Sequence, residues 1–493
     1  MEVKKELVIP AQIGNWINGE ERSAISGEVF EKVNPANGKI LCKGARSTSD
    51  DVAMAVAAAK NAQPAWAEIP PVNRGEILLD IAMTLKERRD EMARVVAAET
   101  GKSFKDALGE TNAAISCGVF MAGEGQRLYA RTTTSGVLNK QAMTIREPMG
   151  VAGLIIAANT PIANVAWKVF PALICGNSAI LKASEDAPAT AWLFSKIAHE
   201  RGLAPGVFNV LNGFGQESGA PLVAHPDVSV ISFTGSTSVG RQIAATAGAR
   251  MAKISLELGG KNPLIVCDDA DLTQAAKWVL LSAFSNAGQR CASGSRIIIF
   301  DSVYEEFRKL LVDGVQCLKV GSDDEDDFGP VINEKQLTNM LRAVGRARDA
   351  GAKILTGGER LTDDQHRDGF YMAPTLIESA DPDAEISITE LFGPVACLYR
   401  AKNFEDALML ANNSPYGLTA CIHTRSIDRA LQFARKVESG VAVVNAGTFG
   451  SEPHMPFGGV KQSGNGSREP GTEALDIYSN LKDVYITIDP KQL

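Results

Sequence analysis

The sequence lacks the features that usually mark secreted, metal-binding and membrane proteins. Its eight cysteines are scattered along 493 residues, with no CxxC pair and no histidine at metal-ligand spacing, so neither disulfides nor a metal site is expected. No segment offers about 20 uninterrupted apolar residues for a membrane span, and the N-terminal stretch has no apolar run of signal-peptide length. We therefore expect a cytoplasmic protein.

The sequence also lacks an excess of positive charge, since its 50 Lys and Arg residues are outnumbered by 58 Asp and Glu residues and the net charge is −8 at pH 7. A nucleic acid or an anionic membrane surface selects basic proteins, so neither is expected as a partner. In contrast, 45% apolar and 22% charged residues are typical of globular domains. A chain of this length is expected to form at least two domains, each with its own hydrophobic core.

Helical periodicity dominates the first third of the chain, and strands alternate with helices after it. The periodicity predicts helices within 50–65, 73–100 and 105–127. Short apolar runs predict a first series of strands at 150–159, 179–184, 207–213, 228–235 and 253–260. A second series begins near residue 262 and ends near 445. Buried strands separated by helices indicate βαβ units and parallel sheets, so we expect two α/β domains.

Two segments have a different pattern, with polar and apolar residues alternating along Thr-, Val- and Ile-rich sequence. They are residues 131–148 and the tail 480–489. Alternation with a period of two is typical of strands, so these segments can pair as an exposed ribbon. Exposed strand edges are usually covered, which suggests a partner subunit.

Two glycine-containing segments follow predicted strands. FTGSTSVG (233–240) places Gly235 and Ser236 where the amides of a helix N-terminus could meet a pyrophosphate, although an ordinary strand-to-helix turn has the same pattern. NGFGQESGA (212–220) misses the dinucleotide-binding G-x-G-x-x-G spacing by one residue, and we interpret it as a turn.

Two residues have the chemistry of a nucleophile and a base. Cys291 follows Gly288 and two polar residues, and Glu257 lies in an apolar strand, where burial would raise the pKa of its carboxyl group. A catalytic thiol needs a base or a cation nearby, and Glu257, Arg290 and Arg296 are candidates. The alternatives are a structural cysteine and a glutamate satisfied by backbone amides or a lysine.

Five separated segments together resemble the NAD(P)-dependent aldehyde dehydrogenase superfamily. They are LELGGKNP (256–263), GQRC (288–291), FTGST (233–237), ELFGP (390–394) and PFGGVKQSG (456–464). The resemblance covers nearly the whole chain and implies an α/β fold with a Rossmann-like cofactor domain, a catalytic domain and a small oligomerisation ribbon. The expected boundaries are 1–130 with 150–258 for the NAD-binding domain, 259–475 for the catalytic domain, and 131–149 with 476–493 for the ribbon.

The resemblance also implies roles for individual residues. Cys291 corresponds to the nucleophile, Glu257 to the general base that activates water, and Asn159 to the amide that holds the oxyanion. Contacts with the cofactor are implied for Lys182, Glu185, Gly235, Ser236, Glu390 and Phe392. NAD is expected rather than NADP, because Glu185 corresponds to a residue that bonds a ribose 2′-hydroxyl and would repel a 2′-phosphate.

One departure from the family pattern bears on the substrate. The usual P-W-N-F-P is replaced by Ala157-Ala158-Asn159-Thr160-Pro161, so the pocket is expected to be wider and more polar. Substrate contacts are predicted for Arg290, Thr160, Asn164, Trp167, Ser285, His454 and Phe457. The guanidinium of Arg290 suits an anionic aldehyde, but it could instead face a structural carboxylate, and a loop histidine such as His454 is often only solvated.

The resulting hypothesis is NAD-dependent oxidation of a short polar or anionic aldehyde, such as a semialdehyde or hydroxyaldehyde, by a homodimer or homotetramer. A CoA-acylating relative is disfavoured by the presence of Glu257. A catalytically silent ligand-binding or structural protein is disfavoured because Cys291, Glu257 and Asn159 are all retained. A cysteine hydrolase would need a partner histidine, and none of the five histidines lies in a recognisable motif.

Overall fold

The structure, a computed structural model, describes residues 9–492. Residues 1–8 of the predicted cofactor domain and residue 493 of the predicted ribbon lie outside the described residues. Five short strands come first: β1 (Gln12–Ile13), β2 (Asn15–Ile17), β3 (Glu20–Arg22), β4 (Val29–Val33) and β5 (Ile40–Ala45). The following elements are α1 (Ser49–Glu68), α2 (Pro71–Glu87), α3 (Arg89–Thr100), α4 (Phe104–Gly123), β6 (Thr132–Thr134) and β7 (Lys140–Pro148). The predicted helical segment 73–100 is divided at Arg88, which leaves the helical conformation with φ −101° and ψ 20°.

The first parallel sheet follows the predicted alternation of strands and helices. Its elements are β8 (Val151–Ile155), α5 (Pro161–Ile174), β9 (Ser178–Lys182), α6 (Pro188–Glu200), β10 (Phe208–Leu211), α7 (Ala220–Ala224), β11 (Val228–Thr234), α8 (Thr237–Ala249) and β12 (Lys253–Glu257). The strand order is β12-β11-β8-β9-β10-β2-β3, with β2 and β3 antiparallel at the edge. Every residue of β8, β9 and β10 is buried, which is typical of parallel strands covered on both faces.

A second sheet of seven strands is built from the C-terminal half. Its first elements are β13 (Asn262–Val266), α9 (Leu272–Phe284), β14 (Gly294–Phe300), α10 (Tyr304–Gln316), α11 (Glu334–Asp349), β15 (Lys353–Thr356) and β16 (Thr375–Glu378). The remaining elements of this half of the chain are α12 (Glu385–Ile388), β17 (Val395–Ala401), α13 (Phe404–Asn412), β18 (Tyr416–Gly417), β19 (Thr419–His423), α14 (Ile427–Lys436), β20 (Val441–Val444), β21 (Val460–Lys461), α15 (Ala474–Tyr478) and β22 (Ser479–Thr487). Strands β18 and β21 pair with each other, and β22 pairs with β7, outside the seven-stranded sheet. The strand order is β15-β16-β17-β14-β13-β19-β20, and the α/β fold expected from the sequence is confirmed.

The connection between the sheets determines where the site lies. The chain leaves the carboxyl end of β12 at Glu257 and enters the amino end of β13 at Asn262, with only residues 258–261 between them. The carboxyl edge of the first sheet therefore lies beside the amino edge of the second. Loops from both edges meet in this region.

The two alternating segments pair as predicted. Strand β22 runs antiparallel to β7, from Ser479 opposite Pro148 to Thr487 opposite Lys140, and β6 adds a third strand. Leu481 and Tyr485 of this ribbon are 54% and 60% exposed. The dimer or tetramer that would cover the ribbon stays a prediction, as do the exact domain boundaries. Within residues 9–492, no helix combines the length and the apolar character that a membrane crossing requires.

Candidate active site

A cavity of about 900 Å³ opens at the carboxyl edge of the first sheet. Its walls include the ends of β8, β9 and β11 and the start of α11. Five of the six residues predicted to contact the cofactor line it: Lys182, Glu185, Gly235, Ser236 and Phe392. The Lys182 ammonium donates a hydrogen bond to the Glu185 carboxylate at 3.2 Å. An ammonium and a carboxylate side by side can bond the two hydroxyls of a ribose.

The turn between β11 and α8 brings backbone amides to this cavity. A Cβ atom on Gly235 would lie 2.4 Å from the Phe233 ring, so only glycine allows this close approach. Ser236 is the N-cap of α8, and the first amides of a helix have no partner within the helix. The turn can therefore receive an anion such as a pyrophosphate.

The segment that we interpreted as a turn contributes more to this cavity than the sequence indicated. Gly215–Gly219 forms one wide helical turn before α7, and Phe214, Gly215, Gln216 and Gly219 line the cavity. The turn itself agrees with the prediction. Its glycines were the available signal, but their spacing did not match the dinucleotide-binding pattern.

A second cavity, of about 340 Å³, brings the three predicted catalytic residues together. Cys291, Glu257 and Asn159 all line it, although Cys291 and Asn159 come from two different loops and Glu257 from the end of β12. Predicted substrate residues Thr160, Asn164, Trp167 and Phe457 line it too, and the rings of Trp167 and Phe457 lie 5.5 Å apart. Further residues line both cavities, among them Asn159, Gly235, Ser236, Gln336 and Phe392. The two cavities therefore adjoin.

Glu257 is placed as a buried base requires. Its side chain is 5% exposed, and neither carboxylate oxygen has a hydrogen-bond partner. Burial raises the pKa of the Glu257 carboxyl group well above its ordinary value, and the negative charge of Glu469 raises it further. The positive charge of Lys168, which forms an ion pair with Glu469 at 2.8 Å, lowers the pKa of Glu257 and partly offsets these effects. The alternative of a glutamate satisfied by amides or a lysine is not what the structure contains.

The Cys291 thiol is half-buried at the end of an unusual loop. Asn286, Ala287 and Gly288 all have positive φ angles, of 53°, 52° and 65°, and such strain in residues other than glycine is often found at functional sites. Burial, and then the charges of Glu390 and Glu257, raise the pKa of the Cys291 thiol to about 12. The thiol is therefore protonated at neutral pH and needs a base.

The arginines considered as activators of the thiol have other partners. Arg296 is fully buried in β14 over the Tyr399 ring. Arg290 lies 3.5 Å from the Asp106 carboxylate, hydrogen-bonds Ser285 and stacks on Phe449. The alternative in which Arg290 faces a protein carboxylate thus describes its contacts in this structure.

Three residues predicted to contact substrate do not line the smaller cavity: Arg290, Ser285 and His454. Ser285 is held by Arg290, and His454 is exposed beside Phe120 and Glu452. Their roles in substrate binding stay predictions.

Asn159 is held against the loop that carries the thiol. Its side-chain Nδ2 donates a hydrogen bond to the backbone carbonyl of Gln289 at 3.0 Å. The side-chain Nδ2 of Asn286 donates to the backbone carbonyl of Asn159 at 3.3 Å. An asparagine amide has two N–H donors, so one remains for an oxyanion. The arrangement can stabilise negative charge that develops beside Cys291.

Glu390 is folded against the pair of glycines that follows β12. Its carboxylate accepts a hydrogen bond from the Gly260 amide at 2.9 Å. A Cβ atom on Gly259 would lie 2.1 Å from the carboxylate, and one on Gly260 would lie 2.6 Å from the Cys291 carbonyl oxygen. Gly260 is therefore needed for the close approach of the Cys291 backbone, and Gly259 leaves room for the Glu390 carboxylate. Burial raises the pKa of Glu390 to about 7; Glu390 lines the smaller cavity rather than the larger one.

A metal ion has no evident place in this arrangement. Within residues 9–492, no three His, Cys, Asp or Glu side chains cluster in a way that could hold one. The chemical resources of the site are thus a thiol, a buried carboxylate, an amide and a large adjoining cavity.

Comparisons with known proteins identify the family of this chain. The family model described as "Aldehyde dehydrogenase family" matches residues 22–484. An alpha-ketoglutaric semialdehyde dehydrogenase from Bacillus subtilis (strain 168) is 37% identical over 475 residues, which are 96% of this chain and 97% of that protein. An alpha-ketoglutarate semialdehyde dehydrogenase from Haloferax volcanii is 36% identical over 473 residues, covering 96% of this chain and 98% of that one.

Solved structures of aldehyde dehydrogenases have the same fold as this chain. A betaine aldehyde dehydrogenase from Staphylococcus aureus, crystallised in complex with NAD+, superposes with a TM-score of 0.94 at 31% identity, and the match covers 97% of this chain and 95% of that one. The resemblance drawn from the five sequence segments is therefore confirmed. The chain belongs to the aldehyde dehydrogenase family.

Proposed function

We propose that the chain is an NAD-dependent dehydrogenase that oxidises a short polar or anionic aldehyde to its carboxylic acid through a covalent cysteine intermediate. One observation carries the proposal: Cys291, Glu257 and Asn159 line a single cavity of about 340 Å³. This cavity adjoins one of about 900 Å³ with the polar groups that a dinucleotide requires. A thiol, a base and an oxyanion donor beside a cofactor cavity suit aldehyde oxidation.

The residues of the larger cavity fit a nicotinamide dinucleotide. Lys182 and Glu185 would hold a ribose, and the turn at Gly235 and Ser236 would hold the pyrophosphate. The carboxylate of Glu185 disfavours a 2′-phosphate, which supports NAD over NADP. When bound, the nicotinamide supplies the acceptor for the hydride that leaves the carbonyl carbon.

Cys291 begins the chemistry by bonding its sulfur to the aldehyde carbon. Because the pKa of the thiol is raised to about 12, the thiol gives its proton to water as the carbon–sulfur bond forms, and the Glu257 carboxylate, which lines the same cavity, is kept for the later step. The carbonyl oxygen becomes an oxyanion, which the Asn159 amide stabilises. Loss of hydride from the same carbon reforms the carbonyl and leaves a thioester on Cys291.

Glu257 then completes the reaction by removing a proton from water. The water oxygen bonds to the thioester carbon, the carbon–sulfur bond breaks with its electron pair on sulfur, the Cys291 sulfur takes the proton from Glu257, and the carboxylic acid leaves. A carboxylate with a raised pKa and no hydrogen-bond partner is well suited to this step, because it accepts a proton more readily than an ordinary carboxylate.

The proposed substrate class follows from the lining of the smaller cavity. Thr160 and Asn164 provide polar groups, while Trp167 and Phe457 are the aromatic members of the wall. Two relatives bear names of semialdehyde dehydrogenases, which supports an aldehyde with a distal carboxylate. A short aldehyde of this kind suits a cavity of this volume.

The test is a screen that follows NADH absorbance with succinic, 2-oxoglutaric, malonic, sulfonated and neutral hydroxylated aldehydes. Each aldehyde is offered with NAD or NADP, with and without CoA. We expect the highest kcat/KM with NAD and an anionic semialdehyde, and free acid as product whether or not CoA is present. A CoA thioester as product, or no NADH with any aldehyde, would contradict the proposal.

A further inference from the structure

A short buried stretch, of which only Thr100 lines the larger cavity, contacts the loops that form both cavities. The stretch is Glu99-Thr100-Gly101-Lys102, which ends α3 and begins the connection to α4, and all four residues are buried. Gly101 has a φ of +76°, and a Cβ atom there would lie 2.5 Å from the Pro330 ring. A Cβ on Gly329 would lie 1.8 Å from the Gly101 carbonyl oxygen. The stretch is therefore fixed between the helical layer and the 329–330 segment.

Lys102 holds the loop that carries Asn159. Its ammonium donates to the Asn159 carbonyl oxygen at 2.7 Å and to the Glu110 carboxylate at 2.5 Å. The other oxygen of Glu110 accepts a hydrogen bond from the Ile162 amide at 2.9 Å. Lys102 and Glu110 are 4% and 9% exposed, so few water molecules compete for these bonds. The ion pair grips the loop at residue 159 and again at the start of α5.

Glu99 holds the loop that carries Lys182 and Glu185. Its carboxylate accepts hydrogen bonds from the Ala189 amide at 2.5 Å, and from the Thr190 amide and hydroxyl at 2.8 and 2.6 Å. These amides are in the first turn of α6, where a carboxylate bonds unpaired N–H groups and interacts favourably with the helix dipole. Residues 183–187, between β9 and α6, are thus fixed at their far end.

The loop that Glu99 fixes is also tied to the second half of the chain. Asp186 in this loop accepts a hydrogen bond from Asn333 at 3.0 Å, and both residues line the larger cavity. The loop therefore has defined contacts at Asp186 and at the start of α6. Loss of the contact with Glu99 would loosen the end that precedes α6.

We propose that Glu99 and Lys102 are positioning residues with separate targets: Lys102, through Glu110, orients the Asn159 amide, and Glu99 orients the loop of Lys182 and Glu185. Neither side chain lines either cavity, so both act through other residues. The inference rests on the proposed function, in which Asn159 serves the chemical step and Lys182 with Glu185 serves cofactor binding. One four-residue stretch would then control kcat and cofactor affinity independently.

The experiment compares Lys102→Met and Glu99→Gln, each measured for kcat, for KM of the aldehyde and for the Kd of NAD by fluorescence titration. We expect Lys102→Met to lower kcat about tenfold to hundredfold, because small misplacements of a catalytic group have effects of this size, with the Kd of NAD within about twofold of the wild type. We expect Glu99→Gln to raise the Kd of NAD about tenfold and to leave kcat at saturating NAD within about twofold.

Two sets of variants separate positioning from loss of stability. Lys102→Met/Glu110→Gln removes the carboxylate that Lys102→Met would leave unpaired; if its thermal unfolding matches the wild type while kcat stays low, the defect lies in the site. Lys105→Met and Glu87→Gln change exposed residues of the same charge in the adjoining helices and are expected to behave as wild type.

Failure of this inference and failure of the proposed function give different results. If folded Lys102→Met has normal kcat while Asn159→Ala is slow, the inference about Lys102 is wrong and the proposed function stands. If both variants change kcat and the Kd of NAD in parallel, the two targets are not separate. If the wild type oxidises no aldehyde, the proposed function fails, and the NAD titration of Glu99→Gln still decides the inference about Glu99.

Discussion

The two sheets contribute to the site from opposite edges. In the first sheet the contributing residues follow the carboxyl ends of strands: Asn159 after β8, Lys182 at the end of β9, Ser236 after β11 and Glu257 at the end of β12. In the second sheet they precede the amino ends: Cys291 before β14, and Glu390 and Phe392 before β17. Ligands of open α/β sheets usually bind at carboxyl ends. The second sheet departs from that rule.

The short connection from β12 to β13 explains the difference. Because only residues 258–261 separate the two strands, the chain enters the second sheet beside the edge from which it left the first. In the proposed mechanism, the first edge supplies the cofactor cavity, the base and the oxyanion donor, whereas the second supplies the nucleophile. Catalysis in this account needs both edges, and cofactor binding depends mainly on the first.

Removal of the nucleophile gives the largest expected effect and tests this division of roles. Cys291→Ala should lower the rate of NADH formation at least about 10⁴-fold, because no covalent intermediate can form. The Kd of NAD, measured by titration, should stay within about twofold of the wild type. Cys317→Ala is the matched control, since Cys317 is exposed. Retained turnover in Cys291→Ala would remove the second edge from the chemistry.

Removal of the base should affect only the second half of the reaction. Glu257→Gln should form up to one equivalent of NADH per subunit and then turn over about 10²- to 10⁴-fold more slowly, as expected for loss of a general base. In the wild type, kcat should rise with pH through a value above the ordinary carboxyl range, because burial raises the pKa of Glu257 and the carboxylate form is required. Stopped-flow absorbance over a pH series measures both the single equivalent of NADH formed by Glu257→Gln and the pH dependence of kcat in the wild type. A full steady-state rate in Glu257→Gln would assign the base elsewhere.

Arg290 sharpens the comparison because it adjoins the nucleophile on the second edge. In this structure Arg290 pairs with Asp106. The sequence-based prediction that Arg290 binds an anionic aldehyde requires it to exchange this partner for the substrate. A charge-assisted contact is worth about 1.5–3 kcal/mol, so on that prediction Arg290→Ala raises KM for anionic aldehydes about tenfold to hundredfold and changes KM for neutral aldehydes little. Asp106→Asn, which removes the present partner of Arg290, is the companion variant. Equal effects on both substrate classes would make Arg290 structural.

The smallest expected effect concerns Glu390, which contacts the glycine pair between the two sheets. With a thiol pKa of about 12, alkylation of Cys291 by iodoacetamide should accelerate about tenfold for each pH unit between about pH 7 and 10, since only the thiolate reacts. Glu390→Gln removes a negative charge that raises this pKa, so alkylation at pH 8 should become a few-fold faster. A rate that reaches a plateau below pH 9 would contradict the raised pKa.

Local sequence patterns predicted the elements of the first edge well. Alternating apolar runs located the strands from 150 to 260, and the glycine at 235 identified the strand-to-helix turn, because period and turn chemistry are local properties. The pairing of 131–148 with the tail was predicted for the same reason. The grouping of Cys291, Glu257 and Asn159 was implied by the family resemblance, since no local pattern relates residues so far apart in sequence.

Other features depend on tertiary partners and could not be predicted. The orientation of Arg290 is set by Asp106 and Phe449, which lie far from it in the chain. The contribution of Phe214 and Gln216 to the larger cavity depends on how α7 packs. In the sequence, Glu99 and Lys102 look like residues at the end of a helix. Only the fold shows which loops they contact.

The central claim is that the Cys291 sulfur becomes covalently bound to the substrate carbon at the meeting of the two edges. Mass spectrometry of Glu257→Gln, quenched after mixing with NAD and a good aldehyde, tests this claim most directly. The account predicts that the peptide containing Cys291 gains the mass of the acyl group in step with NADH formation. NADH formation with an unmodified Cys291 peptide would contradict it.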